Sequence, residues 1–229
     1  MKHALGKTFA IPAIAFAILA VLPACARGAA IVGPVSASTN MGELFLANRA
    51  INKSGLSRTY TSLVTDFDTF IATNPTAAHG NGTNIWGASL GVRSGNFDLN
   101  LGGTYLVSAM VLWNLIGDPS SVRQFNLLAD NDASFGSAVN LGTFTASNSL
   151  GSGSNSAAQV FTFPETSAAF IRLQILNTWS AASDHTVLNE VAFKVATAPE
   201  PTISWLLGLG LPCLALGRRR VLSSSHARR

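Results

Sequence analysis

The side chains able to do chemistry are few, and their positions exclude most catalysis. Of the four histidines, His3 and His226 lie near the chain ends, and His79 and His185 alone cannot make a three-histidine zinc site. Cys25 and Cys213 also lie near the ends, which leaves the central region without a disulfide, a thiolate metal site or a cysteine nucleophile. A serine nucleophile of the hydrolase kind needs a Gly-x-Ser-x-Gly turn that opens a helix, and the one such spacing, Gly87-Ala88-Ser89-Leu90-Gly91, is followed by no helical pattern. Asp66/Asp68 and Asp130/Asp132 are carboxylates two apart. Glycoside hydrolysis needs two carboxyls placed across a sugar in space, whereas acids two apart in a loop read as turn-forming residues. No enzyme activity is expected. Binding chemistry has better candidates: Trp179 falls in a polar loop after an alternating apolar segment, close in sequence to His185. A loop aromatic can stack on a pyranose face while polar neighbours bond its hydroxyls. Trp179 and His185 are therefore the candidate ligand-binding residues, with a purely structural role for the Trp179 ring as the alternative.

These residues must be positioned by the middle of the chain, because both ends read as addresses. The formal charge is +4 over 229 residues, but the excess is terminal: Lys2, Lys7 and Arg27 at one end, Arg218, Arg219, Arg220, Arg228 and Arg229 at the other. Between Ala30 and Ala198 there are seven basic and ten acidic residues. No basic surface is left to cover phosphates, and a nucleic-acid partner is not expected. Residues 1–30 carry lysines, then an apolar run over 9–22, then Pro23 and small residues, the order of a secretory signal peptide. Cleavage after Ala26, Ala29 or Ala30 fits equally, and Cys25 leaves a lipoprotein signal as a rival reading. Residues 198–229 hold Pro199-Glu200-Pro201, fifteen mostly apolar residues over 203–217, and then three arginines. This order resembles the PEP-CTERM sorting signal of Gram-negative bacteria that make exopolysaccharide. The run is short of the roughly 20 residues of a full span. A transient inner-membrane helix fits it better than a permanent anchor, and a buried terminal helix is the alternative. The resemblance implies that an exosortase processes the chain and passes it to the cell surface or matrix.

Residues 31–197 are then one domain, and its periodicity is that of strands. Phe97, Leu99 and Leu101 alternate with Asn96, Asp98 and Asn100, and Gly102-Gly103 makes a turn. Residues 105–113 are apolar on both faces and read as a central strand ending at a core Trp113. Phe125 and Leu127, Phe161 and Phe163, Ile171, Leu173 and Ile175, and Val191, Phe193 and Val195 each define one apolar face. Six or more strands separated by Gly, Asn, Asp and Ser turns predict an all-β sandwich or barrel. Residues 147–156 read as a flexible loop. Over 41–83 the pattern predicts a short helix spaced by Val64, Phe67 and Ile71, with long loops before a first clear strand at Ile85.

The order Arg49-Ala50-Ile51-Asn52-Lys53-Ser54-Gly55-Leu56, Asn84-Ile85-Trp86, residues 95–103, Val111-Leu112-Trp113-Asn114, residues 125–130, residues 170–175 and residues 188–193 resembles a discoidin-like domain. These are the coagulation-factor type C, galactose-binding-like jelly-roll β-sandwiches. The resemblance places Trp86 in the core and implies a structural calcium held by the loop after Ala50-Ile51 and by Glu190. Asn52 stands where the family prefers aspartate and Lys53 where it has glycine, which lowers the charge offered to the ion. Asp66 or Asp68 would then have to compensate from the same long loop. Glu190 reads equally as an exposed strand residue paired with a neighbour. The expected function is that of a noncatalytic exported surface or matrix protein binding extracellular polysaccharide. A structural envelope or biofilm component without a defined ligand is the alternative.

Overall fold

The computed structural model describes residues 28–80 and 82–196. The predicted sorting helix, the Pro-Glu-Pro segment and nearly all of the predicted signal peptide lie outside the described residues. Among the described residues no helix is long and apolar enough to cross a membrane.

The domain is an antiparallel β-sandwich of jelly-roll type organised by two long strands, β5 (Gly95–Trp113) and β9 (Asn155–Thr178). They pair with each other over both of their halves, with register shifts between Asn100 and Tyr105 and between Val107 and Ala109. At the first shift Gly102 has φ +78°, a left-handed conformation that costs a residue with a Cβ about 1–2 kcal/mol. The predicted turn at Gly102-Gly103 is thus a corner inside one strand, because the ladder resumes beyond it. On one side of the corner β5 pairs with β2 (Ser36–Thr39), and β9 pairs with β6 (Val122–Asp130), which carries β7 (Val139–Thr145) at its edge. On the other side β5 pairs with β11 (Glu190–Ala196), which carries β1 (Ala29–Val32), while β9 meets β3 (Thr76–Ala78). A small second sheet joins β4 (Trp86–Gly87) to β10 (Val187–Leu188).

Alternation explains what lies between the layers. Phe97, Leu99, Phe125, Leu127, Leu173 and Ile175 from one layer meet Met110, Leu112, Val191 and Phe193 from the other, with Trp86 at Phe97, ring centroids 4.5 Å apart. Each such side chain contributes about 1.5–3 kcal/mol of burial. The second face of 109–113 is buried as well, against Tyr60, Phe67, Phe70 and Ala77. Trp113 Nε1 donates to the Pro75 carbonyl at 2.9 Å, so the one polar atom of that ring is satisfied within this outer core.

Four readings need correction. β1 and β2 precede any strand the periodicity marks; they are four residues each, built largely of small residues, and exist through their partners. The helix α1 (Phe67–Ala72) begins three residues after Val64, which is 76% exposed, because the Asp66 carboxylate caps it by accepting the Thr69 N–H at 2.8 Å. The low-complexity stretch 147–156 is a loop only over its first four residues and then a hairpin in which β8 (Gly151–Ser152) pairs with the start of β9. The segment at Ile85 contributes only the two-residue β4.

A Cβ at Gly102 would lie 2.8 Å from Val35 Cγ1 as well as demanding a positive φ. Gly102→Ala is expected to lower unfolding free energy by about 1–2 kcal/mol in chemical denaturation while leaving the strand circular-dichroism signal intact. No loss of stability would mean the corner does not depend on this residue.

Candidate functional site

The starts of β5 and β6 and the end of β9 lie together at one end of the sandwich, and the loops there enclose a depression of about 400 Å³. Its walls are Arg93, Ser94, Arg123, Leu176, Asn177, Thr178, Trp179 and Ala181. Backbone contacts fix these walls from beneath. The Trp179 N–H donates to Ser121 at 3.2 Å, the Ser180 N–H to Pro119 at 3.0 Å, and Thr186 Oγ1 to the Arg93 carbonyl at 3.0 Å. Trp179 Nε1 donates to the Ala146 carbonyl at 3.1 Å, which sets the ring plane, and the Arg123 guanidinium lies over the ring 5.1 Å from its centroid. The Arg93 guanidinium donates to the Ala181 carbonyl, tying the loop before β5 to the loop after β9. The indole is 36% exposed. The ring is thus partly open at the wall of the depression, with Arg123 over one face. The depression therefore offers an aromatic surface, amide and hydroxyl groups from Asn177 and Ser94, and guanidinium donors. No carboxylate lines it, so the acid pair required for glycoside hydrolysis is not found there.

Of the two predicted binding residues, only Trp179 lines this depression. The His185 imidazole turns to the Asp184 carboxylate and toward Gly87, where an added Cβ would meet it at 3.7 Å. Arg93 and Arg123 were not singled out from the sequence. They are thirty residues apart and converge only because the starts of β5 and β6 lie at the same end of the sandwich.

The four predicted metal ligands do not converge. Glu190 and the loop at Asn52 do come together: the Lys53 N–H donates to Glu190 Oε2 at 3.0 Å. Lys53 adopts the left-handed φ of 63° at the position where the resembling family has glycine. Asn52 spends its Oδ1 on the Ser54 N–H at 2.8 Å. Asp66 caps α1, and Asp68 pairs with Lys194 at 2.7 Å. Glu190 is fully buried rather than an exposed strand residue, since Tyr60 and the Lys53 loop cover the outer face of β11 at its start. Its Oε1 has no hydrogen-bond partner. The Lys53 ammonium lies nearby, on the Tyr60 carbonyl at 3.1 Å and 4.3 Å from the ring centroid. Calcium takes six to eight oxygen ligands, and the charge they carry sets its affinity. One carboxylate beside an ammonium does not fit it, and among the described residues no group of three acidic, histidine or cysteine side chains assembles.

The architecture has known counterparts. Truncated AlyQ, with CBM32 and alginate lyase domains, superposes with a TM-score of 0.50 at 16% identity over 76% of this chain and 35% of that one. This chain thus spans about a third of that protein's length. The family 32 CBM of C. perfringens NanJ, in complex with galactose, gives 0.48 at 15% identity over 72% of this chain and 98% of the module. A fucolectin from Morone saxatilis (striped bass) serum gives 0.48 at 9% identity over 71% of this chain and 45% of that one. No family model and no curated protein matches the sequence. The likeness is one of fold, that of family 32 carbohydrate-binding modules and discoidin-like domains.

Burial pushes the Glu190 carboxyl up to about 8, against hydrogen bonding and charge from Lys53. A carboxyl with a raised folded pKa binds a proton in the native state that the unfolded chain has already released. Its contribution to stability is therefore fullest below about 4.5 and is lost as pH rises toward 8. Wild type is expected to lose stability on the order of a few kcal/mol across that window, and Glu190→Gln to flatten the slope and melt higher at pH 8. Melting temperatures in millimolar calcium and in chelator are expected to coincide. A calcium-dependent rise that Glu190→Gln abolishes would overturn this account of the site.

Proposed function

We propose that this is a noncatalytic, exported carbohydrate-binding module that holds extracellular polysaccharide in the end depression at Trp179. The observation that carries the reading is the composition of that depression: an indole fixed in plane, hydrogen-bonding side chains, and no carboxylate to act as acid or nucleophile. The family 32 fold supports the same reading, since it presents end loops on a rigid sandwich.

The terminal segments support export. The signal peptide lies within residues 1–30, and residues 198–229 act as a PEP-CTERM signal that dwells in the inner membrane until an exosortase releases the chain to the surface or matrix. The pairing of β1 supports a cleavage point ahead of that strand. Ala29 and Ala30 pair with Ala196 and Val195, and Ala30 is only 2% exposed. Cleavage after Ala26 keeps β1 whole, whereas cleavage after Ala30 removes half of it. Intact-mass analysis of protein recovered from the cell surface is expected to place the N-terminus at Arg27 and to lack the arginine-rich tail. A start at Ile31, or an end at Arg229, would contradict this scheme.

Trp179 separates binding from folding. Trp179→Ala is expected to weaken retention on polysaccharide affinity gels by about 1–3 kcal/mol, the scale of a contact aromatic, with little change in melting temperature. Unchanged retention together with a folding loss of about 3–5 kcal/mol would make the ring structural and remove the depression as the binding site.

A further inference from the structure

We infer that the polysaccharide held at this depression is acidic, and that Arg93 and Arg123 receive its anionic groups. The inference rests on the reading of the depression as the binding site and adds the charge class of the ligand. The domain between Ala30 and Ala198 has seven basic residues against ten acidic ones, so a cationic spot is a local exception to its charge. Arg172 is forked onto Asp98 at 2.6 and 2.8 Å, and Lys194 is paired with Asp68. Lys53 sits on Tyr60 near Glu190, and Arg49 lies over Phe45 at 5.9 Å. Two of the remaining cations, Arg93 and Arg123, line one 400 Å³ depression that no carboxylate lines, and neither has a carboxylate partner among the described residues.

Their geometry suits an anion carried on a sugar. A guanidinium has five N–H donors in a fixed plane, and Arg93 commits one nitrogen to the Ala181 carbonyl. The other guanidinium donors are left for an anion at the rim. The Arg123 guanidinium lies over the indole, 5.1 Å from its centroid, so that the charge and the apolar surface of Trp179 are neighbours. A ligand fitting both features presents a pyranose surface and an anionic group a few ångströms apart. A glycan bearing uronate carboxylates or sulfate esters does so, and a neutral glycan leaves two guanidinium groups to be desolvated without a partner.

The domain spanning residues 27–197 is tested against polygalacturonate, the same polymer after carboxyl reduction, dextran sulfate, and poly-glutamate as an anionic polymer without sugar. Polygalacturonate or dextran sulfate is expected to bind at least about tenfold more tightly than the reduced polymer and the polypeptide. The better of the two identifies carboxylate or sulfate as the group. Affinity is expected to fall with added salt, and Arg93→Gln and Arg123→Gln are each expected to weaken it about tenfold at unchanged melting temperature. Arg58→Gln, an exposed change outside the depression, is the charge control. Equal binding of the native and reduced polymers, reduced by Trp179→Ala alone, would overturn the acidic assignment and leave the binding reading standing. Equal binding of poly-glutamate, or equal loss in Arg58→Gln, would reduce the effect to general charge attraction. Binding of none of the four polymers would overturn both readings.

Discussion

Two strands belong to both layers of this sandwich, and everything else is placed by their pairing. Because β5 and β9 stay hydrogen-bonded to each other on both sides of the corner at Gly102, the layers cannot slide apart or change register independently. A one-residue slip would carry Phe97, Leu99, Leu173 and Ile175 to the solvent side, so burial and ladder fix the same register. The end loops inherit that rigidity. Arg93 and Ser94 lie directly before β5, Arg123 is near the start of β6, and Asn177, Thr178 and Trp179 run off the end of β9. The depression is thus defined by strand ends whose spacing the core sets, and the loops only complete its rim.

The same strand pairing produces a buried ionisable group away from the depression. β11 starts opposite the end of β5, with Glu190 facing Trp113 across the ladder. The outer face there is covered by the chain from Lys53 to Phe70, which buries Tyr60 and Trp113 in an apolar outer core. A carboxylate at that position must be neutralised, and it has one backbone donor, a nearby ammonium and a free oxygen. Protonation answers the remaining demand within this donor set, which is why the Glu190 carboxyl is raised while the surface acids Asp66 and Asp68 are occupied by a helix cap and an ion pair.

Sequence reading recovers what period-two alternation can encode. The faces at Phe97 to Leu101, Phe125 to Leu127 and Ile171 to Ile175 stand as expected because each is written locally in apolar spacing, whereas the run 105–113 is buried on both faces only from Ala109 onward, past the register shift. The edge strands at Ala29 and Ser36 escape it, since short segments of small residues carry no alternation and gain their strand character from Val195 and Asn100 across the ladder. Glu190 escapes it for another reason: alternation assigns it to the outer face of β11, and only the long loop from Lys53 makes that face interior. At the candidate site, Trp179 was legible from its polar loop. Arg93 and Arg123 were not, because their meeting depends on the strand order and leaves no mark in either local segment.

The central claim is that ligand contact is confined to one end of a rigid sandwich. Backbone amide shifts of the isotopically labelled domain, followed during titration with short polygalacturonate oligomers, test it directly. The account expects perturbations at Arg93, Ser94, Arg123 and residues 176–181, with the amides of Lys53 and Glu190 unmoved. Perturbations centred on Lys53 and Glu190, or spread evenly over both layers, would contradict it.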